Sequence, residues 1–334
     1  MNFDNILIRC SSIYKIMTGI QGKTNKDKWV DACAEHVRLT KLYEATKNKS
    51  TDAQAKRFGK IQELKREIDS LTPVKDDIEL GQTAKTYLRK LYLEQKYGLR
   101  QEFTSKYVEK GKQQEELGIT LYSLHKQETT GKTIFYKKND IRINNEYLSG
   151  EPDLFTGESI YNADEGVDIK CPYGLWTFPF FETALPPQYE WQNHGYIALT
   201  GAKQWTTGYT LVNAPASLID DEKRRVKYAM NLIDADKDPD YVKKCIEIEK
   251  NMIFDMEQFL SDNPWYDLHC KEWKYDIPRS ERVKEFVTER DDIKIELVYA
   301  TVRKCRKYME ETFGGTDNLL IASPIPDGVL IERG

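Results

Sequence analysis

The sequence contains no CxxC pair and no run approaching 18 consecutive apolar residues, only 4 histidines in 334 residues, and a formal net charge of only −4. Each absence excludes a class of protein. Without a long apolar run no membrane-spanning helix is expected. The opening MNFDNILIRC carries too short an apolar stretch for a secretory leader, so a cytoplasmic protein with no membrane partner is expected. The cysteines (Cys10, Cys33, Cys171, Cys245, Cys270 and Cys305) are scattered, and His269-Cys270 has no partners at ligand spacing. They read as free thiols in a reducing compartment, with neither zinc nor iron–sulfur centres. A charge so near balance neither demands nor forbids a nucleic-acid partner, because binding depends on a local basic patch. What is there, 40% hydrophobic and 31% charged residues with 20 tyrosines, is the composition of a folded globular chain. A single elaborated domain over 1–334 is expected.

Periodicity then divides the chain. Residues 24–100 are helical in pattern and heavily charged, and Ile61, Leu64, Ile68 and Leu71 form an apolar stripe at 3-4-3 spacing. This predicts a helical arm, a hairpin with Lys and Glu on its solvated side. Residues 101–211 form the expected core. A helix over Tyr107 to Leu124 is followed by short alternating segments from Thr133 to Cys171, separated by Asn-Asp, Asn-Asn, Thr-Gly and Asp-Glu-Gly turn signals. These predict an antiparallel meander. A helix over Pro186 to Thr200 and a strand over Trp205 to Leu211 close the core. Residues 212–313 read as mostly helical, and 314–334 as a tail. The order of elements is α+β, a small central mixed or antiparallel sheet flanked by helices.

Chemistry concentrates in GEPDLF and GVDIKCP. Alternate side chains of a strand share a face, so Asp168 and Lys170 project together while Val167, Ile169 and Cys171 face the core. Asp153 lies towards the preceding hairpin partner, which brings its carboxylate to that of Asp168. Two such carboxylates repel unless a cation sits between them, and a hard, oxygen-liganded ion such as Mg²⁺ suits the pair. An ion there polarises a phosphodiester and activates water, and Lys170 offsets developing negative charge. A third acid is expected from KGKQQEELG. Helix phase puts Glu115 with Val108, Gly111, Gly118, Ile119 and Tyr122, towards the body, and Glu116 towards water. Pro326-Asp327-Gly328 looks like the first motif but lacks a following DxK or ExK, and reads as a turn.

These residues resemble a known family. GKQQE (Gly111 to Glu115), SGEPDLF (Ser149 to Phe155), VDIKCP (Val167 to Pro172) and the helix YEWQNHGYIALTGA (Tyr189 to Ala202) are similar to the signatures of lambda-exonuclease-type phage recombination nucleases. These are members of the PD-(D/E)XK superfamily, alongside RecB-like and YqaJ-like nucleases. The resemblance implies a PD-(D/E)XK core. It implies Glu115, Asp153, Asp168 and the Ile169 carbonyl as metal ligands, and Lys170 as the catalytic lysine. It further implies Mg²⁺, with Mn²⁺ able to substitute. Gln192 and Tyr196, one helical turn apart, are expected at the DNA. So are Arg9, Ser11 and Ser12, which sit where the family receives a 5′ end, although Arg9 lies nearer its serines than in the family pattern. Hydroxyls and amides opening a helix suit a phosphate, and an arginine clamps it. The implied activity is 5′-to-3′ degradation of one strand from duplex DNA ends, leaving 3′ single-stranded tails for strand annealing. The implied partners are a single-strand annealing protein and further copies of the chain, in a homo-oligomer that several family members build as a trimeric ring. The implied setting is the cytoplasm of an infected or lysogenic bacterial host.

Three rival readings share parts of this pattern. An endonuclease or RecB-like nuclease would use the same acids and lysine. A non-catalytic DNA-binding or scaffold protein would use the charged helices for contacts; near the nuclease site, Lys106, Lys110, Lys112, Lys137, Lys138 and Arg142 read either as phosphate contacts or as solvated helix and strand faces. A nucleotide-hydrolysing enzyme is hinted at by TTGKT (Thr129 to Thr133), but position 126 is Lys where a phosphate loop needs Gly.

Overall fold

The computed structural model describes residues 2–18, 25–47, 49–75, 80–99, 105–269 and 277–314. Most of the expected 314–334 tail, with its Pro-Asp-Gly turn, lies outside these residues, as does Cys270. The chain packs as two compact units, one built from Met1–Gln101, Asn144–Ser149 and Asp291–Gly334, the other from Glu102–Ile143 and Gly150–Arg290.

The first unit holds β1 (Ile8–Arg9), α1 (Ile13–Met17), α2 (Asn25–Ala45), α3 (Asp52–Lys75) and α4 (Gln82–Tyr97). The helices α2 and α3 pair as the expected hairpin, with Ala32, Ile61 and Leu64 buried and the Tyr43 and Phe58 rings 5.5 Å apart. On either side of that hairpin in sequence, α1 and α4 pack directly on each other, and Lys15 Nζ lies 5.2 Å from the Tyr87 ring centroid.

The second unit opens with α5 (Lys106–Thr130), capped by the Ser105 hydroxyl on the Val108 N–H, and β2 (Lys137–Lys138). Residues 144–149 belong to the first unit, where β4 (Leu148–Gly150), following β3 (Ile143–Asn144), runs parallel to β1 in a three-stranded sheet of order β1-β4-β3. The single meander expected from Thr133 to Cys171 is therefore shared between two sheets. Its remaining strands, β5 (Leu154–Ser159) and β6 (Asn162–Lys170), pair antiparallel.

Next come α6 (Pro187–Thr200), β7 (Gln204–Thr210), α7 (Ala216–Ala229), α8 (Pro239–Met252), α9 (Met256–Asp262) and β8 (Val283–Glu289). The last helix, α10 (Asp292–Phe313), returns to the first unit, where Arg306 donates to the Ile6 carbonyl at 3.0 and 3.1 Å. The larger sheet has the order β2-β5-β6-β7-β8, with β6 and β7 parallel and every other pairing antiparallel. A parallel pair needs a crossover, and α6 supplies it. β8 is a strand within a stretch whose charge pattern reads as helix.

The sheet is covered on both sides at its centre, by α5 and by α6. Val167, Ile169 and Leu154 pack with Leu121 and Tyr122 of α5. The approach is close because of Gly118, where an added Cβ would fall 2.7 Å from both Cys171 Sγ and Thr210 Oγ1. On the other face, buried Asn193 donates to the Thr207 and Thr288 hydroxyls at 3.0 Å each, pinning α6 to β7 and β8. The α+β class and the mixed central sheet are as expected from the sequence.

Candidate active site

The end of β6 and the start of β5 carry the motif residues. The pair Leu154↔Val167 sets the register, so Asp153, one residue before β5, lies beside the last turn-out of β6. Its Oδ2 accepts the Ile169 N–H at 2.8 Å. The Pro152-Asp153 bend is held by Asn139, whose N–H donates to the Asp153 carbonyl at 2.9 Å and whose amide donates to the Pro152 carbonyl at 3.0 Å. Asp168 and Lys170 share a face of β6 and form an ion pair. Asp168 Oδ1 also accepts from Gln192 Nε2 at 3.2 Å, and the same nitrogen donates to the Tyr196 hydroxyl at 2.8 Å. Tyr196 in turn donates to the Glu151 carbonyl at 3.4 Å. Tyr189, one turn before Gln192, puts its ring centroid 5.1 Å from Lys170 Nζ.

Charge is concentrated where water is scarce. Burial pushes the Asp153 carboxyl up to about 7, with Asp168 and Glu115 adding repulsion while Lys170 and the Ile169 amide pull it back. Burial alone would lower the Lys170 ammonium, but Asp168 and Asp153 outweigh it and hold Lys170 above its ordinary value. The two acids therefore favour the charged form of Lys170.

Glu115 is placed differently. Its side chain is 36% exposed against 73% for Glu116, the order that helix phase predicts, but its Oε1 lies 3.2 Å from Lys138 Nζ. Lys138 also contacts Glu116, and both acids raise its pKa. Among the described residues no three His, Cys, Asp or Glu side chains stand close enough to hold a metal ion together. Asp153 and Asp168 still fit a small divalent cation. Both are hard oxygen donors, and burial with mutual repulsion leaves Asp153 in want of a positive partner. The residues that would hold the ion are these two, with the Ile169 carbonyl beside them.

The expected DNA contacts divide between the two units. Gln192 and Tyr196 are buried and bonded to Asp168 and to each other, so in this state they position the acid. Arg9, Ser11 and Ser12 belong to the first unit, at the turn that opens α1. There Arg9 Nη2 is 3.4 Å from Glu94 Oε2, Ser11 is exposed and Ser12 is buried. The basic residues read as phosphate contacts are largely engaged elsewhere. Lys106 pairs with Glu222, Arg142 with Glu151, Lys137 donates to the Gly157 and Glu158 carbonyls, and Lys110 is wholly buried. Asn139, Tyr189 and Asn193 escaped sequence reasoning. Only Tyr189 left a signal there, since 189, 192 and 196 follow one helix face.

The α+β fold, with Asp153 beside the DxK of the next strand, is shared with solved exonucleases. The particular likeness is to a phage-related exonuclease from Haemophilus somnus 129PT, with a TM-score of 0.54 and 20% identity over 93% of this chain and 97% of that one. An alkaline exonuclease from Laribacter hongkongensis is similar over 74% of this chain and 92% of its own, at 16% identity and a TM-score of 0.41. No family model matches the sequence, and no curated protein does. Among the described residues no helix is long and apolar enough to cross a membrane.

Proposed function

We propose that the chain is a deoxyribonuclease, a Mg²⁺-dependent exonuclease that degrades linear duplex DNA from 5′ to 3′ and leaves 3′ single-stranded tails for phage-type recombination by strand annealing. One observation supports this above the others. Asp153, Asp168 and Lys170 converge at the end of β6, in a fold shared along nearly the whole chain with a phage-related exonuclease.

A bound Mg²⁺, or Mn²⁺ in its place, supplies Lewis acidity towards the phosphodiester and lowers the pKa of an attacking water. Asp153 and Asp168 would hold it with the Ile169 carbonyl, and Glu115, now beside Lys138, would be the third acid. Gln192 and Tyr196 fix the Asp168 carboxylate, so its orientation is set before substrate arrives. Lys170 keeps its proton on Nζ and donates to the phosphoryl oxygens as negative charge grows there. Gln192 reaches DNA only by releasing Asp168 or Tyr196. Arg9, Ser11 and Ser12 receive the 5′ end. A single-strand annealing protein takes the exposed tail, and further copies of the chain, in a trimeric ring, keep the enzyme on its duplex. The cytoplasm of an infected or lysogenic bacterium is the corresponding setting.

The test is digestion of a singly end-labelled linear duplex with and without Mg²⁺, beside a covalently closed circle. Early release of 5′ label from the linear duplex, with the circle intact, supports the reading. Cutting of the circle would identify an endonuclease on the same core. Binding without cleavage in any divalent ion would identify a scaffold.

A further inference from the structure

The helix α6 brings two side chains, one turn apart, to the Asp-Ile-Lys triplet of β6. Gln192 bonds the Asp168 carboxylate. Tyr189, in the first turn of the helix, lays its ring against the Lys170 ammonium, with Nζ 5.1 Å from the ring centroid. One helix thus grips both ionic members of the motif.

A lysine beside a ring is often only a surface encounter. Lys49, for example, is exposed and its Nζ lies 4.8 Å from the Tyr43 ring centroid. Tyr189 differs in having its ring braced from the core. It meets the Tyr209 ring edge-on at 6.2 Å and 81°, and Tyr209 meets Phe286 in the same way at 5.9 Å and 81°. Tyr209 and Phe286 are each only 8% exposed, and Tyr189, Phe180 and Leu185 pack on the cluster they form. Tyr209 is also the cross-strand partner of Lys170 in the pairing of β6 with β7. The lysine therefore runs along an aromatic wall that is packed in place.

The wall matters because of what else holds Lys170. Here the ammonium pairs with Asp168. A carboxylate that ligates a divalent cation shares its charge with that ion, and the ion itself repels a neighbouring ammonium. The Lys170 side chain is 24% exposed, so a weakened ion pair leaves its flexible four-carbon stem free to turn to solvent. A ring face attracts an ammonium through its quadrupole. It carries no formal charge, so it neither competes for the metal ion nor takes the proton of the lysine.

We propose that Tyr189 is a positioning residue, whose ring keeps the Lys170 ammonium aimed at the scissile phosphate while Asp168 serves the metal ion. The purpose, though not the ring contact, rests on the nuclease reading above.

The test reads the lysine directly, in the full chain carrying ¹³C at lysine Cε. The Lys170 signal is identified by its absence in Lys170→Met. Methylene protons held over a ring face resonate upfield of those of a solvated lysine. An upfield Lys170 signal is expected both with and without Mg²⁺. It is expected to persist in Tyr189→Phe, which keeps the ring, and to move to the solvated position in Tyr189→Leu, which keeps apolar bulk without it. Unchanged signals from the other lysines show that the fold is intact. On linear duplex with saturating Mg²⁺, Tyr189→Leu is expected to lower kcat about tenfold with KM little changed, and Tyr189→Phe to recover most of that loss. A signal still upfield in Tyr189→Leu, or Tyr189→Phe as slow as Tyr189→Leu, would overturn the proposal. Should Tyr189→Leu not fold, the parental spectrum still decides, because a Lys170 signal that leaves its upfield position when Mg²⁺ is added refutes the role. Parental kcat in a folded Tyr189→Leu would refute it too, and leave the nuclease reading standing. A parental chain that cuts no DNA would sink that reading, with the ring contact still judged by the spectrum.

Discussion

Lys110 is wholly buried and Lys170 partly buried within the same unit, and their surroundings drive them in opposite directions. Lys110, on α5, meets only neutral partners, donating to the Val212 carbonyl at 2.8 Å and the Tyr173 carbonyl at 3.2 Å. Burial lowers its pKa to about 7. Lys170, half-buried against Asp168 and Asp153, is held above its ordinary pKa by them. Burial alone discharges an amine, and carboxylates keep it ionised. Lys110 therefore serves as a staple between α5 and the strand ends, while Lys170 supplies a fixed positive charge where phosphate chemistry is proposed.

The largest test of this contrast is catalytic. Asp168→Asn and Lys170→Ala should each reduce Mg²⁺-dependent cleavage by at least about a hundredfold with an unchanged far-ultraviolet spectrum. Lys110→Met should leave measurable cleavage. Parental rates in Lys170→Ala would refute the assigned site.

Next in size is the pH dependence of stability, where the two groups pull oppositely. The folded pKa of Asp153 is raised from 3.8 to about 7, so between those values the folded chain binds more protons and metal-free stability falls as pH rises. The folded pKa of Lys110 is lowered from 10.5 to about 7, so between 7 and 10.5 the unfolded chain binds more protons and stability rises with pH. Together they give a trough near neutrality. Urea unfolding across this range in EDTA should show it. Asp153→Asn should flatten the acid limb, and Lys110→Met the alkaline one. Mg²⁺ should raise the melting temperature more at pH 8 than at pH 6, because below 7 it competes with the Asp153 proton.

A smaller effect is expected at Gly118. Alanine there forces α5 away from Cys171 and Thr210, costing about 1–3 kcal/mol by urea unfolding and slowing cleavage through Glu115. The smallest is Tyr196→Phe, which removes the hydroxyl between Gln192 and Glu151. A loss of about 1 kcal/mol is expected, together with a slower turnover.

How much of this could be read beforehand depended on the range of the interaction. Asp168 and Lys170 were legible because strand alternation is local, and the bias of Glu115 over Glu116 because helix phase is local. The α2–α3 hairpin announced itself through its 3-4-3 stripe. The three-stranded sheet did not, because Ile8 pairs with Leu148 from far along the chain. β8 was missed because VKEFVTE alternates charge with apolar residues too irregularly to separate strand from helix. Lys110 reads as solvated in any linear scan. Only the packing of Val212, Tyr173 and Phe254 around it reveals otherwise. Gln192 was recognised by its spacing, yet its engagement with Asp168 depends on a crossover that brings α6 back over β6.

The direct contact between α1 and α4 has a bearing on the gene as well as the protein. The codons for α2 and α3 lie between two segments that already touch, so the contact flanking the hairpin is made without it. That makes the hairpin a place where a fluorophore or an affinity handle can be grafted while α1 and α4 stay in contact.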